Sequence, residues 1–267
     1  MLAGLRFTLL ISFVALVGCG ATPYRTVSQP NLSGNWYVSA GANTHGVYAS
    51  PVYSFIGALQ VSGSSVTGTV RATDLADTVP CISPEANLTA TGNFDTASNL
   101  SLTVPVAGGT AAIVATIGNP NGINNGTWQI VGGSCAMPKT PVVIAEIAPI
   151  TGTYAGAYDV IDLTTLQHVP GSAMTLTANI VQSATPNADG QFPITGTLTA
   201  TGSCNGTFLL ASEVVSGGQL LATYPATGVP TVALLGGVEP AATYLVVDFG
   251  PVAGCGSQTY SGTLIRQ

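Results

Sequence analysis

The stretch Ile194-Thr195-Gly196-Thr197-Leu198-Thr199-Ala200-Thr201 alternates small or apolar residues with threonine at every step. A period of two puts the apolar set on one face of an extended strand and the threonines on the other. Threonine is β-branched, so it suits a pleated backbone, and its hydroxyl keeps the outer face wettable. The pattern recurs where Leu88, Ala90, Gly92 and Phe94 interleave with Thr89, Thr91 and Asn93. It recurs again where Met174, Leu176, Ala178 and Ile180 interleave with Thr175, Thr177 and Asn179. Turn signals separate such runs, among them Ser62-Gly63-Ser64, Asp95-Thr96-Ala97-Ser98, Asn187-Ala188-Asp189-Gly190 and Ser216-Gly217-Gly218. No long amphipathic helical pattern is found, so the chain reads as all-β.

The strands belong to two copies of one unit. Leu32-Ser33-Gly34-Asn35-Trp36-Tyr37 has a counterpart in Ile150-Thr151-Gly152-Thr153-Tyr154-Ala155, and Val66-Thr67-Gly68-Thr69-Val70 in Ile194-Thr195-Gly196-Thr197-Leu198. The cysteines keep the same register: Cys81 with Cys204, and Cys135 with Cys255. A long period occurring twice indicates tandem domains rather than a solenoid. The units are 32–148 and 149–267, preceded by segments 1–18 and 19–31. Eight strands fit each unit, centred near 36, 58, 69, 90, 102, 114, 129 and 144, then near 155, 177, 197, 208, 221, 233, 246 and 263. Sequential alternating strands of about this number predict an up-and-down β-barrel, or else a β-sandwich. At about seven residues each, they read as shorter than the nine to eleven residues of a membrane-spanning barrel strand.

The opening Gly34-Asn35-Trp36, echoed by Gly152-Thr153-Tyr154, resembles the first strand of calycins, the lipocalin and avidin group. The resemblance covers a few residues per unit. It implies a barrel whose aromatic plugs one end, with an arginine from a late strand packed on it. Arg266 is placed to do this against Tyr154, whereas the last strand of the first unit carries Glu146. It implies no particular ligand.

Composition narrows the function. The 267 residues include 5 Lys or Arg and 11 Asp or Glu, so 6% are charged, against about 25% in ordinary domains. So few basic groups cannot neutralise a run of phosphates, and nucleic-acid binding is excluded as a function class. At 46% hydrophobic the chain has ample core material and is not disordered for want of it.

Residues 1–18 carry Arg6, then an apolar run from Phe7 to Val17, the layout of a secretory signal peptide. The run ends in Leu16-Val17-Gly18-Cys19, which resembles the lipobox of bacterial lipoproteins. That resemblance implies cleavage before Cys19 and about three acyl chains on it, enough for a stable membrane anchor. Gly20 after the cysteine, by analogy with Gram-negative sorting, favours the outer membrane. Removing 1–18 leaves four basic and eleven acidic side chains, a net charge of −7. Residues 20–31 read as a short polar tether.

An exported protein lives where disulfides persist. The duplication selects Cys81 with Cys135 and Cys204 with Cys255 among the three pairings four cysteines allow. No Cys-x-x-Cys or metal-ligand cluster is present, and no cofactor motif. His45 and His168 both follow the first strand of their unit, which places them at equivalent barrel mouths or as two exposed loop residues. A Ser-His-Asp site lacks a nucleophile elbow or Ser-x-x-Lys, and the carboxylate pair Asp159 and Asp162 has no acidic counterpart in the first unit. The chain is therefore expected to be non-enzymatic. The candidate ligand residues are Trp36, Tyr37, His45, Tyr154 and His168, offering aromatic faces and polar tips to a small apolar or sugar ligand or to an envelope partner. A structural or adhesive surface lipoprotein is the alternative, and a hydrolase with an unrecognised site the third.

Overall fold

The computed structural model describes residues 32–40, 53–74, 87–119, 122–134, 136–162, 165, 167–221, 234–250 and 259–267. The described residues form strands, turns and short connections without a helix. The first unit contains β1 (Gly34–Ala40), β2 (Tyr53–Ser62), β3 (Ser65–Asp74), β4 (Asn87–Phe94), β5 (Asn99–Val106), β6 (Gly109–Thr116), β7 (Ile123–Val131) and β8 (Met137–Ile147). Each pairs antiparallel with the next, and β8 returns to β1. The second contains β9 (Gly152–Asp162), β10 (Gln167–His168), β11 (Met174–Gln182), β12 (Phe192–Gly202), β13 (Gly206–Ser216), β14 (Gln219–Leu221), β15 (Leu234–Val238), β16 (Tyr244–Phe249) and β17 (Tyr260–Arg266). Here β17 pairs with β9, while β10 is a two-residue flap hydrogen-bonded to the end of β9. The chain thus forms two closed, eight-stranded, antiparallel up-and-down barrels. Closure decides for barrel over sandwich.

Alternation explains the walls. In β5 every second side chain is buried, and β16 behaves the same way. Leu100, Leu102, Ile113, Trp128 and Ile130 fill barrel 1. Leu176, Ile180, Leu198, Phe249 and Leu264 fill barrel 2. Threonines such as Thr91, Thr103, Thr175 and Thr201 face out. Apolar inside and hydroxyl outside is the reverse of a barrel that faces lipid. Strand length does not make that distinction: β2, β3, β8, β9, β12 and β13 run to ten or eleven residues, longer than about seven.

β1 and β2 break the alternation. Asn35 to Ser39 and Ser54 to Leu59 are buried on both faces. Trp36, Val38, Phe55 and Leu59 point into barrel 1, whereas Tyr37, Ile56, Ala58, Ala145 and Ile147 join the core of barrel 2. The outer wall of barrel 1 at β8, β1 and β2 therefore stoppers one end of barrel 2.

Candidate functional site at the barrel seam

Three connections of barrel 2 make the seam. At the β13–β14 turn, Gly217 lies against β1 and β2 with a positive φ of 53°. A Cβ there would come within 2.7 Å of Ile56 and 3.0 Å of the Trp36 carbonyl oxygen. The buried Asn35 amide clamps this turn from both sides: Nδ2 donates to the Gly217 carbonyl at 3.0 Å, and the Gly217 N–H donates to Oδ1. In the β15–β16 connection, the Pro240 carbonyl accepts from Ala148 N–H at 2.8 Å. In the β11–β12 connection, Asn87 Nδ2 donates to Asp189 Oδ1 at 2.5 Å. Gly190 of that connection approaches the Thr69 carbonyl so closely that a Cβ would lie 2.2 Å from it.

That third contact leaves a cleft of about 270 Å³ between the β2–β3–β4 wall and the β11–β12 connection. Its lining includes Gln60, Thr67, Thr69, Thr89, Pro186 and Asn187. A smaller pocket of about 100 Å³ adjoins it, sharing Ala58, Gln60 and Pro186. The connection is held in shape by its own hydrogen bonds: Asn187 Oδ1 accepts from Asp189 N–H and Gln191 N–H, each at 3.0 Å. Among the described residues, no Asp, Glu, Lys or Arg lines either space.

The structure distributes the sequence candidates differently. Trp36 is 1% exposed inside barrel 1, its Nε1 donating to the Leu32 carbonyl at 2.8 Å. Tyr37 is buried in the seam. Tyr154 is fully buried in barrel 2, its hydroxyl donating to the Ala242 carbonyl at 3.1 Å. None of these three aromatic rings faces an open mouth. His45 lies outside the described residues. His168, its side chain 72% exposed on β10, meets Asp159 at 3.3 Å, and a polar contact so open to water contributes little. The Asp162 carboxylate accepts from Thr165 N–H at 3.2 Å, in the turn beyond β9.

The Gly-x-aromatic opening of each unit has a common physical reason. Arg266 is the register partner of Tyr154, and Glu146 that of Trp36. The Arg266 guanidinium lies 5.9 Å from the Tyr154 ring centroid, a cation–π contact, and its Nη2 donates to the Thr151 carbonyl at 2.6 Å. A Cβ at Gly152 would sit 3.2 Å from Arg266 Nε, and one at Gly34 would sit 2.9 Å from Glu146 Oε1. Both glycines make room for a last-strand side chain lying across the first strand.

In barrel 1 that side chain is an acid, and burial pushes its carboxyl up from 4.5 to about 7. The folded chain therefore holds this proton more tightly than the unfolded chain. Its stabilising effect is complete below pH 4.5 and is lost as pH rises through about 7. Glu146→Gln should raise stability at pH 8 by about 1–2 kcal/mol, a figure reduced for the solvent the carboxyl still meets. At pH 4 it should change nothing. Denaturant unfolding of both proteins at the two pH values checks this, and an equal difference at both would refute it.

Cys204 is 1% exposed in the β12–β13 turn and is disulfide-bonded. Cys19, Cys81, Cys135 and Cys255 lie outside the described residues. Their connections are nonetheless placed by the strands around them. Cys81 falls between β3 and β4 and Cys135 between β7 and β8, the third-to-fourth and seventh-to-eighth strands of barrel 1. Setting aside the flap, Cys204 and Cys255 occupy the same two connections of barrel 2, at the end away from the seam.

Comparison with protein-family models, with curated proteins and with solved structures finds no match to this chain. The site is therefore read from its own geometry. The cleft residues were missed in the sequence because Asn187-Ala188-Asp189-Gly190 reads only as a turn and Thr67, Thr69 and Thr89 only as outward threonines. The available signal was the unbroken apolar run from Phe55 to Leu59, which marks a strand covered on both faces.

Proposed function

We propose that this is a lipid-anchored protein of the cell envelope, held at the outer membrane through Cys19, which binds a ligand or partner without catalysing a reaction. The observation that carries the binding part is the preformed, uncharged cleft at the seam, since ligand sites are typically concave, rigid and set with a few polar groups. The filled barrel interiors count against a ligand held within the barrels, which leaves their outer surfaces for the binding role. The exposed, solvent-screened Asp159–His168 contact supports a non-catalytic reading, as general acid–base work favours a positioned pair in a cleft.

One observation favours the structural or adhesive alternative. The outer face of β11, β12 and β13 presents Thr175, Thr199, Thr201 and Thr207 with Val181 and the 74% exposed Leu209, and no charge among them. Native mass spectrometry of the protein after exposure to envelope extract separates the two readings. A retained small molecule is expected for the binder. Self-association or co-sedimentation with envelope matrix, with no retained molecule, would decide for the adhesive role.

The anchor has its own test. Cys19→Ser should move the protein from the detergent phase to the aqueous phase on Triton X-114 partitioning. Continued detergent partitioning by the variant would overturn the lipid assignment.

A further inference from the structure

We infer that the seam cleft is a binding site for a neutral pyranose, a reading that names the site and ligand class of the binding function proposed above. Two features of the cleft select this chemistry. Its polar groups are hydroxyls and amides only, so a charged ligand would be desolvated without a counter-charge. A purely apolar ligand would cover Thr67, Thr69 and Thr89 and leave their hydroxyls unpaired. A sugar ring satisfies both demands, with hydroxyls around its edge and C–H groups on its faces. The faces find Ala58 and the Pro186 ring; the edge finds Gln60, Asn187 and the threonines.

Register sets the spacing. Thr69 and Thr89 are direct partners across β3 and β4, and Thr67 is two residues from Thr69 on the same face. Such positions are separated by about 5 Å across strands and about 7 Å along one. That scale matches non-adjacent hydroxyls of one hexopyranose. The larger space takes the ring, and the adjoining pocket beyond Gln60 takes an exocyclic substituent. Because the Asn187 turn and the Gly190–Thr69 approach hold the opposite wall, little ordering cost is added on binding.

The test uses the intact protein in a zwitterionic detergent, with methyl β-glucopyranoside and its N-acetylglucosaminide as probes. Saturation-transfer NMR should show contact with at least one probe, and the Thr67, Thr69 and Thr89 methyl resonances should shift on titration. Gln60→Ala and Thr89→Val, both at exposed positions, should each weaken binding about five- to tenfold without moving the melting temperature. Contact with neither probe overturns the saccharide assignment. Contact that both variants leave unchanged overturns the cleft, while sparing the wider binding reading. That wider reading fails separately, if envelope extract leaves no small molecule on the wild-type protein.

Discussion

Trp36→Ala is expected to lower the unfolding free energy by about 3–5 kcal/mol, the cost of emptying a large buried aromatic site. The indole is almost wholly enclosed in barrel 1, and its N–H bond to Leu32 holds the approach to β1 across the barrel end. Losing that bond leaves a buried carbonyl short of a donor, an added cost of about 1 kcal/mol. Trp36 lies between Asn35, which clamps Gly217, and Tyr37, which packs into the core shared with barrel 2. A cavity here should therefore loosen the seam as well as barrel 1. In thermal melts followed by circular dichroism, the midpoint should fall by roughly 10 °C, at about 2–4 °C per kcal/mol for a chain of this size. A fall under about 3 °C would show that the site collapses and that the indole is not central to the core.

Cys204→Ser is expected to cost about 4 kcal/mol, the chain-entropy value for a closed loop of about fifty residues. Cys255 is the partner we propose, because the β16–β17 connection lies at the same barrel end as the β12–β13 turn. The rings of Phe208 and Phe249, which flank the two connections, meet at 5.5 Å. These connections are half a circuit apart in an eight-stranded ring, so the bridge would cross the mouth. Cys255→Ser should then match Cys204→Ser, and the double variant should be no worse than either. Peptide mapping without reductant should recover Cys204 joined to Cys255, and Cys81 to Cys135. A bridge between the two halves, or a silent Cys255→Ser, would break the assignment.

All eight strand centres of the first unit fall within strands, because period-two patterning is a local property that one strand displays alone. In the second unit the centre near 233 stops one residue short of β15, and β10 was not anticipated at all. A two-residue flap carries no periodicity to detect. The calycin resemblance implied Arg266 against Tyr154, and the contact is present. Composition alone does not tell a ring that lines an opening from one that plugs a core, and Trp36, Tyr37 and Tyr154 all prove to be buried.

By itself the sequence determined the strand class, the eightfold count per unit, the duplication and the equivalent cysteine connections. Each of these is carried by spacing along the chain. Tertiary structure alone decided that the barrels close, that barrel 1 lends its outer wall to the core of barrel 2, and that a neutral cleft opens beside that contact. The reason is that Asn35 and Gly217, or Thr69 and Gly190, are far apart in the chain. Only the docking of two closed walls brings them together, and no local pattern encodes which outer face will be covered.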